Sequence, residues 1–302
     1  MPSETNPPLV SVVVAAYNMG QYLESAVRSI LAQSHSRVEV HIVNDGSTDT
    51  TATVADALAA DPRVHVHHQQ NQGQARAKNR GIGESRGDYV GFLDADDTWL
   101  TDKLERQLPL FAANKAVGVV YSDYECMDAE GKPVPKGFTQ KHRGRVSGAL
   151  LIDNFVPFPS ALVRRECFEK FGMFDEEIGM GIDYDLWLRL SAHYAFEFVD
   201  APTVRYRIWG GQMSKNYRKR YECAIRIMQR FLDAHADVVA GATVKTAWAH
   251  TYLGRGNSIL WNEKDKRAAR ADYVRALKHR PGYWPAWRAI LRSVVSVNAP
   301  EG

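Results

Sequence analysis

Three carboxylates lie within four residues in the segment DYVGFLDADDTW, which runs from Asp88 to Trp99. Asp94, Asp96 and Asp97 follow an apolar run directly, so like charges that repel one another stand at the end of a predicted buried strand. A solvated turn is the alternative, but carboxylates that cap a buried strand are more typical of a functional site. Oxygen ligands of this kind suit a hard divalent cation, Mg²⁺ or Mn²⁺. The segment therefore predicts a cation site.

A second polar position follows another apolar run. Asp45 precedes Gly46, which permits a sharp backbone turn. Its carboxylate could accept the N3–H of a uracil or thymine ring, and Tyr17 could stack on that ring. Taken alone, this stretch is more typical of a turn before a helix, with Ser47 or Thr48 as the helix cap.

Strand and helix patterns alternate through the first half of the chain. Apolar runs predict strands in LVSVVVAAY, VEVHIVND, RVHVHHQQ and DYVGFL, and helical spacing separates them. This alternation predicts an α/β fold with a mostly parallel sheet and helices on both faces. Ligands of such sheets bind beyond the carboxyl ends of the strands. We therefore expect Tyr17, Asp45 and the three carboxylates of residues 94–97 to converge in one cleft.

The pattern becomes helical throughout from Lys215 onward. The segment AARADYVRALKHRPGYWPAW resembles a tetratricopeptide-like helical hairpin, of which about one copy is visible. We expect a domain boundary near Ser214, which divides the chain into residues 1–214 and a helical region of residues 215–302.

Charge differs between these two parts. The net charge is +3, but residues 215–302 hold 17 Lys and Arg against 7 Asp and Glu, so they carry +10 and the first 214 residues carry −7. A basic surface with tryptophans suits an anionic membrane. The alternative, which we prefer, is packing on the catalytic domain or on a second subunit. Packing would bury four tryptophans: Trp248, Trp261, Trp284 and Trp287.

Other features exclude several classes of protein. Three scattered cysteines form no disulfide framework, and the N-terminal residues have no signal-peptide pattern. The longest apolar runs have strand length, and no nucleic-acid-binding pattern accompanies the basic region. We expect a cytoplasmic protein, with peripheral contact to the cytoplasmic face of the membrane as the alternative placement. The histidines of HVHH, residues 65–68, lack a neighbouring carboxylate in sequence and are interpreted as an exposed strand end rather than a metal site.

Six motifs in order resemble the family 2 glycosyltransferases of the GT-A fold, a Rossmann-like sheet flanked by helices. They are VSVVVAAYN, IVNDGSTDTT, NQGQARAKNRGI, YVGFLDADD, SALVRRECFEKFGMFDE and DYDLWLRL. The resemblance covers residues 9–214, about two-thirds of the chain. It implies an inverting transferase that moves a sugar from a nucleotide-diphosphate donor, with UDP favoured, to a hydroxyl of a glycan or lipid-linked acceptor. It also suggests polysaccharide or glycoconjugate biosynthesis.

The resemblance also implies roles for individual residues. Asp183 occupies the place of the catalytic base and Asp96 that of the metal ligand, while Asp94 contacts the ribose and uridine side. The implied donor-binding residues are Ala16, Tyr17, Asp45, Lys78, Asn79, Asp94 and Ala95. Further candidates are Arg76, Asp97, Asp185 and Trp209. Arg76 could bind phosphate, and Asp97 could support the metal from outside its first ligands or be a first-turn carboxylate of the next helix. Asp185 is either the competing base or a helix cap.

Three departures from the family pattern bear on function. Ile182 replaces the usual glutamate before the base, and Lys78 stands where arginine is usual, which keeps the charge but loses the fork geometry. Trp209 stands where many relatives have a metal-ligating histidine, and indole has only a donor N–H. We expect Trp209 to pack, with stacking on a sugar as the alternative.

These departures motivate a rival interpretation, a catalytically impaired protein that binds sugar nucleotides. A nucleotidyltransferase is a third interpretation, but it requires a glycine-rich basic loop after the first strand, and AAYNMGQYLESAV offers none.

Overall fold

The computed structural model describes residues 7–137, 140–210 and 216–294. Their contacts divide the chain into two compact units. Among the described residues, the first unit takes 7–137, 140–146, 155–177 and 189–210, and the second takes 147–154, 178–188 and 216–294. The boundary expected near Ser214 lies outside the described residues, so the division into 1–214 and 215–302 stays a prediction.

The first unit is built on a nine-stranded sheet. Its strands are β1 (Val10–Ala16), β2 (Val38–Asp45), β3 (Val64–Gln69), β4 (Tyr89–Phe92), β5 (Thr98–Trp99), β6 (Val117–Met127), β7 (Pro133–Val134), β8 (Leu162–Arg164) and β9 (Ala195–Arg207). The order is β3-β2-β1-β4-β8-β6-β9-β5, and β7 pairs with β6. The first four strands are parallel, as expected. The rest of the sheet is mixed, because β8 runs antiparallel to both of its neighbours.

Helices flank this sheet and bury its apolar residues. They are α1 (Gly20–Leu31), α2 (Thr51–Leu58), α3 (Gln74–Glu84), α4 (Lys103–Ala113) and α6 (Arg165–Phe171), with a short 3₁₀ turn at Phe158–Ser160. Helix α1 buries Leu23, Ala26, Val27 and Ile30, whose helical spacing forms one face against the strands. This core confirms the predicted α/β class.

The predicted cap of α2 is wrong. The helix begins at Thr51, and neither Ser47 nor Thr48 caps it. Thr50 is the N-cap residue and makes no side-chain cap hydrogen bond, while Asp49 Oδ1, one residue earlier, accepts the backbone N–H of Thr51 at 2.9 Å. The hydroxyl of Ser47 accepts a hydrogen bond from the backbone N–H of Asn18, a partner that sequence position alone does not reveal.

The second unit is helical. It contains α5 (Ser147–Ile152), most of α7 (Ile182–Ser191), α8 (Tyr217–Ala234), α9 (Gly241–Glu263), α10 (Lys266–His279) and α11 (Trp284–Val294). Helices α9, α10 and α11 pack in succession around small residues and the fully buried Tyr273, as a helical hairpin requires. The segments 147–154 and 178–188, which sequence analysis placed in the first domain, belong to this unit because α5 packs on α9.

Of the four tryptophans, one is buried within this chain and three are exposed, so burial of those three by a second subunit stays a prediction. Trp248 is 9% exposed and stacks with Tyr252 and His279. Trp261, Trp284 and Trp287 are 73%, 63% and 46% exposed. Contact of residues 215–302 with a membrane or a second subunit stays a prediction.

Among the residues described, no helix combines the length and the apolar character that crossing a membrane requires.

Candidate active site

The polar turns that were expected to converge follow neighbouring parallel strands. Ala16, the last residue of β1, pairs with Asn44 near the end of β2. Strand β4 lies on the other side of β1 and ends at Phe92, two residues before Asp94. Because parallel strands end at the same edge of a sheet, Tyr17, Asp45 and Asp94 all leave it at the carboxyl edge. This arrangement confirms the expected placement of these turns.

Hydrogen bonds tie the turn after β1 to the turn after β2. The backbone N–H of Asn18 donates to Ser47 Oγ at 3.0 Å, and Asn18 Oδ1 accepts the backbone N–H of Thr48 at 2.9 Å. Asn18 adopts a left-handed backbone conformation, with φ of 54°, which asparagine tolerates better than most residues. Ala16 is buried below this turn, whereas the side chain of Tyr17 is 48% exposed. An aromatic ring held this way is available for stacking.

Asp45 is buried, and its carboxylate shapes the loop that precedes α3. Its Oδ1 accepts the backbone N–H of Gln72 at 2.9 Å and the Gln69 amide at 2.8 Å, while Oδ2 accepts the backbone N–H of Gly73 at 2.9 Å. A carboxylate has about four lone-pair sites, so one acceptor position is left for a base N–H. Gly46 is required beside it, because its φ is +73° and a Cβ would lie 2.6 Å from the backbone nitrogen of Asn71.

Lys78 carries a buried positive charge next to the acidic run. Its Nζ lies 3.3 Å from Asp94 Oδ1 and 4.2 Å from the ring centroid of Phe158. The Lys78 side chain is 6% exposed and that of Asp94 is 37% exposed. The pair can therefore present one cation and one carboxylate at the strand edge.

Asn79 and Arg76 contact a distant loop of the same unit. The Asn79 amide donates to Phe174 O at 2.9 Å and accepts the backbone N–H of Phe174 at 2.9 Å. Arg76 Nε donates to Glu176 Oε2 at 2.8 Å. Sequence analysis missed these contacts because the partners lie about a hundred residues away. Binding of donor phosphate by Arg76 or Asn79 stays a prediction.

The three carboxylates have different surroundings. Asp96 Oδ2 accepts the Trp209 indole N–H at 2.7 Å, and its backbone carbonyl accepts Arg207 Nε at 2.7 Å. Asp97 is 1% exposed, and its Oδ1 accepts the backbone N–H of Arg207 at 2.8 Å. Ala95, which lies between Asp94 and Asp96 in sequence, is buried. Asp97 precedes strand β5, so the alternative that placed it in the first turn of a helix does not apply.

Trp209 does more than pack. Besides its hydrogen bond to Asp96, its ring meets Tyr22 edge-on, with the ring centroids 6.0 Å apart. The guanidinium of Arg207, a residue that sequence analysis missed, lies 4.4 Å from the Tyr22 ring centroid. Arg207 also donates to the carbonyls of Asp128 and Ala129. These contacts fix the acidic turn to the end of β9 and the residues that follow it, more than a hundred residues later in the chain.

Crowding shifts the protonation of the acidic run. Burial, followed by the charge of Asp94, raises the pKa of Asp96, although the Trp209 hydrogen bond opposes the rise. Burial and the charges of Asp94 and Asp96 raise the pKa of Asp97 well above its usual range. Within the described residues, Asp97 Oδ2 is buried with no hydrogen-bond partner. A cation at this turn would relieve both the repulsion and the unsatisfied oxygen, so the donor set fits a hard divalent ion.

Asp183 belongs to the second unit and lines a cavity there. The cavity has a volume of about 470 Å³ and is enclosed by the end of α5, the first turn of α7, and helices α8 and α9. Asn154 Nδ2 donates to Asp183 Oδ2 at 2.9 Å, which orients the carboxylate. Asp185 also lies in the first turn of α7, but it is 5% exposed and does not line the cavity. Ile182 is buried beside them.

The histidine segment has a carboxylate neighbour that the sequence did not reveal. Glu39 and His41 of β2 lie beside β3, where His41 pairs with His65. Ligand atoms of these three side chains lie within 4.8 Å of one another, a spacing that a metal ion could bridge. Glu39 Oε1, however, already accepts the Ser11 hydroxyl at 2.6 Å and the backbone N–H of Arg86 at 2.7 Å. These bonds give Glu39 a structural role.

This cluster predicts a stability that depends on pH. Burial alone would raise the pKa of Glu39, but hydrogen bonds from Ser11 and Arg86 and the proximity of His41 lower it to about 2. Burial lowers the pKa of His41 below 6.5. At these two groups the unfolded chain therefore binds more protons than the folded one, at His41 below about pH 6.5 and at Glu39 below about pH 4.5. We expect the contribution of His41 to the free energy of unfolding to fall from pH 6.5 downward, and that of Glu39 to fall by about 3 kcal/mol between pH 4.5 and 2.

Urea unfolding at pH 7.5, 6.0 and 5.0 measures the His41 contribution. His41→Val, which suits the β-branched and buried surroundings of β2, should flatten the decline between pH 6.5 and 5. An exposed histidine elsewhere in the chain, replaced as His250→Val, should leave it unchanged. An equal pH slope in His41→Val and the wild type would contradict the assignment.

Comparisons with known proteins agree with this architecture. The model of the family described as glycosyl transferase family 2 matches residues 11–172, more than half of the chain. The chain is 33% identical over 187 residues to chondroitin synthase of Pasteurella multocida, which covers 61% of this chain and 19% of that protein. It spans about a third of the length of two uncharacterized glycosyltransferases, from Rickettsia bellii and Rickettsia felis, to which it is 30% and 29% identical over 74% and 71% of its own length.

Solved structures share the fold. Residues 1–349 of S. aureus TarS in complex with UDP superpose with a TM-score of 0.66 at 18% identity, covering 94% of this chain and 88% of that one. The mannosyltransferase PcManGT from Pyrobaculum calidifontis, in complex with GDP-Man and Mn²⁺, gives a TM-score of 0.63 at 20% identity, covering 96% of this chain and 80% of that one. At such identities the likeness shows the GT-A fold alone. Together with the family model, it makes this chain a member of glycosyl transferase family 2.

Proposed function

We propose that the protein is an inverting glycosyltransferase that moves a sugar from a nucleotide-diphosphate donor, with UDP favoured, to a hydroxyl of a glycan or lipid-linked acceptor. The observation that carries this proposal is the acidic turn at the carboxyl edge of the sheet, with the exposed Tyr17 ring and the buried Lys78 ammonium at the same edge. Chondroitin synthase supports glycan synthesis as the context, and the TarS complex supports UDP.

The donor would be held by residues of the first unit. Tyr17 would stack on the base, and the remaining acceptor position of Asp45 would take its N3–H. Asp94 would accept the ribose hydroxyls, and Lys78 would supply a point charge to the diphosphate. Because Lys78 is buried against Phe158, its ammonium is already positioned before the donor binds.

A divalent cation, Mn²⁺ or Mg²⁺, would be held by Asp96 with support from Asp97, and it would stabilise the charge of the departing nucleotide. The raised pKa values of these two carboxylates support this role, since a cation offsets the repulsion that causes them. Trp209 orients Asp96 through its indole N–H rather than ligating the ion. PcManGT, which was crystallised with Mn²⁺, is a precedent within the fold.

Asp183 would act as the general base. In the transfer step the acceptor hydroxyl oxygen attacks the anomeric carbon, the bond from that carbon to the phosphate oxygen breaks, and the hydroxyl proton passes to Asp183. Attack from the face opposite the nucleotide inverts the anomeric configuration. The hydrogen bond from Asn154 orients the Asp183 carboxylate, and its place in a cavity makes it accessible, whereas Asp185 is buried.

A donor screen by thermal shift tests the proposal. UDP-, GDP- and dTDP-sugars are compared with and without Mn²⁺ or Mg²⁺, and one of them should raise the unfolding temperature only when the metal is present. A ligand at 100 times its Kd adds about 2.7 kcal/mol of stability. If no nucleotide sugar shifts the transition, the proposal is wrong. Binding without transfer or hydrolysis would instead favour the catalytically impaired alternative.

A further inference from the structure

The cavity around Asp183 is built mainly by helices that follow the glycosyl transferase family 2 match. That match ends at residue 172, whereas α8 and α9 supply most of the cavity wall. Helix α8 contributes Arg220, Tyr221, Ala224, Ile227 and Met228, a spacing that puts all five on one helical face. Helix α9 contributes His250, Thr251 and Gly254 in the same pattern. The cavity thus lies within the helical second unit.

The wall has the chemistry of a saccharide site. Its polar members are carboxylates, an amide, hydroxyls and an imidazole, which are hydrogen-bond partners of sugar hydroxyls. Tyr221 adds a ring, and Gly254 makes room for it, since a Cβ there would lie 2.5 Å from the Tyr221 hydroxyl oxygen. A volume of about 470 Å³ lies in the range of roughly 300–1,000 Å³ typical of small-ligand pockets.

One member of the wall carries a positive charge that the described residues do not neutralise. The guanidinium of the exposed Arg220 lies 5.2 Å from the ring centroid of Tyr221, and no carboxylate in the described chain pairs with it. Its neighbour Arg218, by contrast, is paired with Glu263. A free guanidinium at a cavity wall offers paired N–H donors in the geometry that suits a carboxylate or a phosphate.

We propose that this cavity binds the acceptor and that the acceptor is an acidic saccharide. Its reacting hydroxyl lies at Asp183, its ring packs against Tyr221, and Arg220 holds its carboxylate or phosphate group. The proposal rests on the proposed role of Asp183 as the base. It assigns to α8 and α9 the selection of the acceptor.

Saccharide binding without any donor tests this assignment. Saturation-transfer NMR would measure Kd for three probes: p-nitrophenyl β-D-glucoside, p-nitrophenyl β-D-glucuronide and glucose 6-phosphate. We expect at least one anionic probe to bind more tightly than the neutral glucoside. A preference for the glucuronide indicates a uronic acid in the acceptor, and a preference for glucose 6-phosphate indicates a phosphorylated sugar.

Substitutions at the cavity wall, with a control outside it, locate the binding. Ala224→Trp fills the cavity and should abolish binding of the preferred anionic probe, whereas Ala234→Trp, at an exposed position of the same helix, should leave it unchanged. Arg220→Ala removes a charged hydrogen bond and should raise the Kd of that probe about 10- to 100-fold, with little effect on the neutral one. Arg220→Lys should restore part of the affinity.

The proposal is overturned if neither anionic probe binds better than the glucoside, if Ala224→Trp still binds, or if Arg220→Ala binds as the wild type does. These outcomes are separate from failure of the proposed function. The donor screen uses no saccharide acceptor, and the NMR measurement uses no donor. The thermal shift given by the preferred nucleotide sugar should be the same in Ala224→Trp as in the wild type, which also shows that the variant is folded.

Discussion

Asp183→Asn should lower turnover by about 10²–10⁴-fold while the protein keeps its fold and its affinity for the donor. The substitution preserves the shape of the side chain, and the new amide can still present its carbonyl oxygen to the Asn154 N–H that Asp183 now accepts. The capacity to take the acceptor proton is lost. Transfer rates at saturating donor, with donor affinity measured separately, check the result.

Asp185→Asn is the matched control for this prediction. Asp185 lies in the same first turn of α7 but is buried away from the cavity, so its substitution should affect stability more than turnover. Normal transfer by Asp183→Asn together with loss of transfer in Asp185→Asn would mean that Asp185, not Asp183, is the general base. Normal transfer by both would remove the general base from the proposed mechanism.

Asp96→Ala should remove the part of donor affinity that depends on the divalent cation. Substitution of residues that only support a metal ligand costs about 10–100-fold in metal affinity, so loss of the ligand itself should cost at least about 100-fold. The substitution removes the acceptor of the Trp209 indole N–H, but the fold should survive, because Arg207 binds the backbone carbonyl of Asp96 rather than its side chain. Removing one of three crowded carboxylates also relieves the repulsion that raises the pKa of Asp97, which offsets the lost hydrogen bond.

Calorimetric titration of the donor with and without Mn²⁺ measures this effect. Asp56→Ala, an exposed carboxylate on α2 away from the acidic turn, is the control and should retain the metal dependence. The unfolding temperature of Asp96→Ala without ligand should equal or exceed that of the wild type. An undiminished response to Mn²⁺ in this variant would exclude Asp96 as the ligand.

The helical second unit links these predictions to acceptor choice. Asp183 lies on a segment that interrupts the first unit in sequence, and its cavity is completed by α8 and α9. If the cavity binds the acceptor as proposed, variation in these two helices changes the acceptor while the proposed donor residues of the first unit stay the same.

The sequence by itself determined the features that depend on local pattern. Continuous apolar runs and helical spacing predicted the strands β1 to β4 and the helices between them, because each pattern has the period of its element. Topology then placed Tyr17, Asp45 and Asp94 at one edge, since parallel strands share their carboxyl ends. The shared edge of these three residues could be predicted without the tertiary structure for this reason, whereas the donor-binding role of Asp94 came from the resemblance to the family.

Only the tertiary structure decided how those residues are held. Arg207 and Trp209 donate hydrogen bonds to Asp96, which lies more than a hundred residues earlier in the sequence. Asn79 contacts Phe174 across a similar sequence separation. The cavity at Asp183 likewise depends on which faces of α8 and α9 turn inward. A single sequence carries no signal for such pairings, because they are set by packing between elements whose residues are adjacent only after the chain has folded.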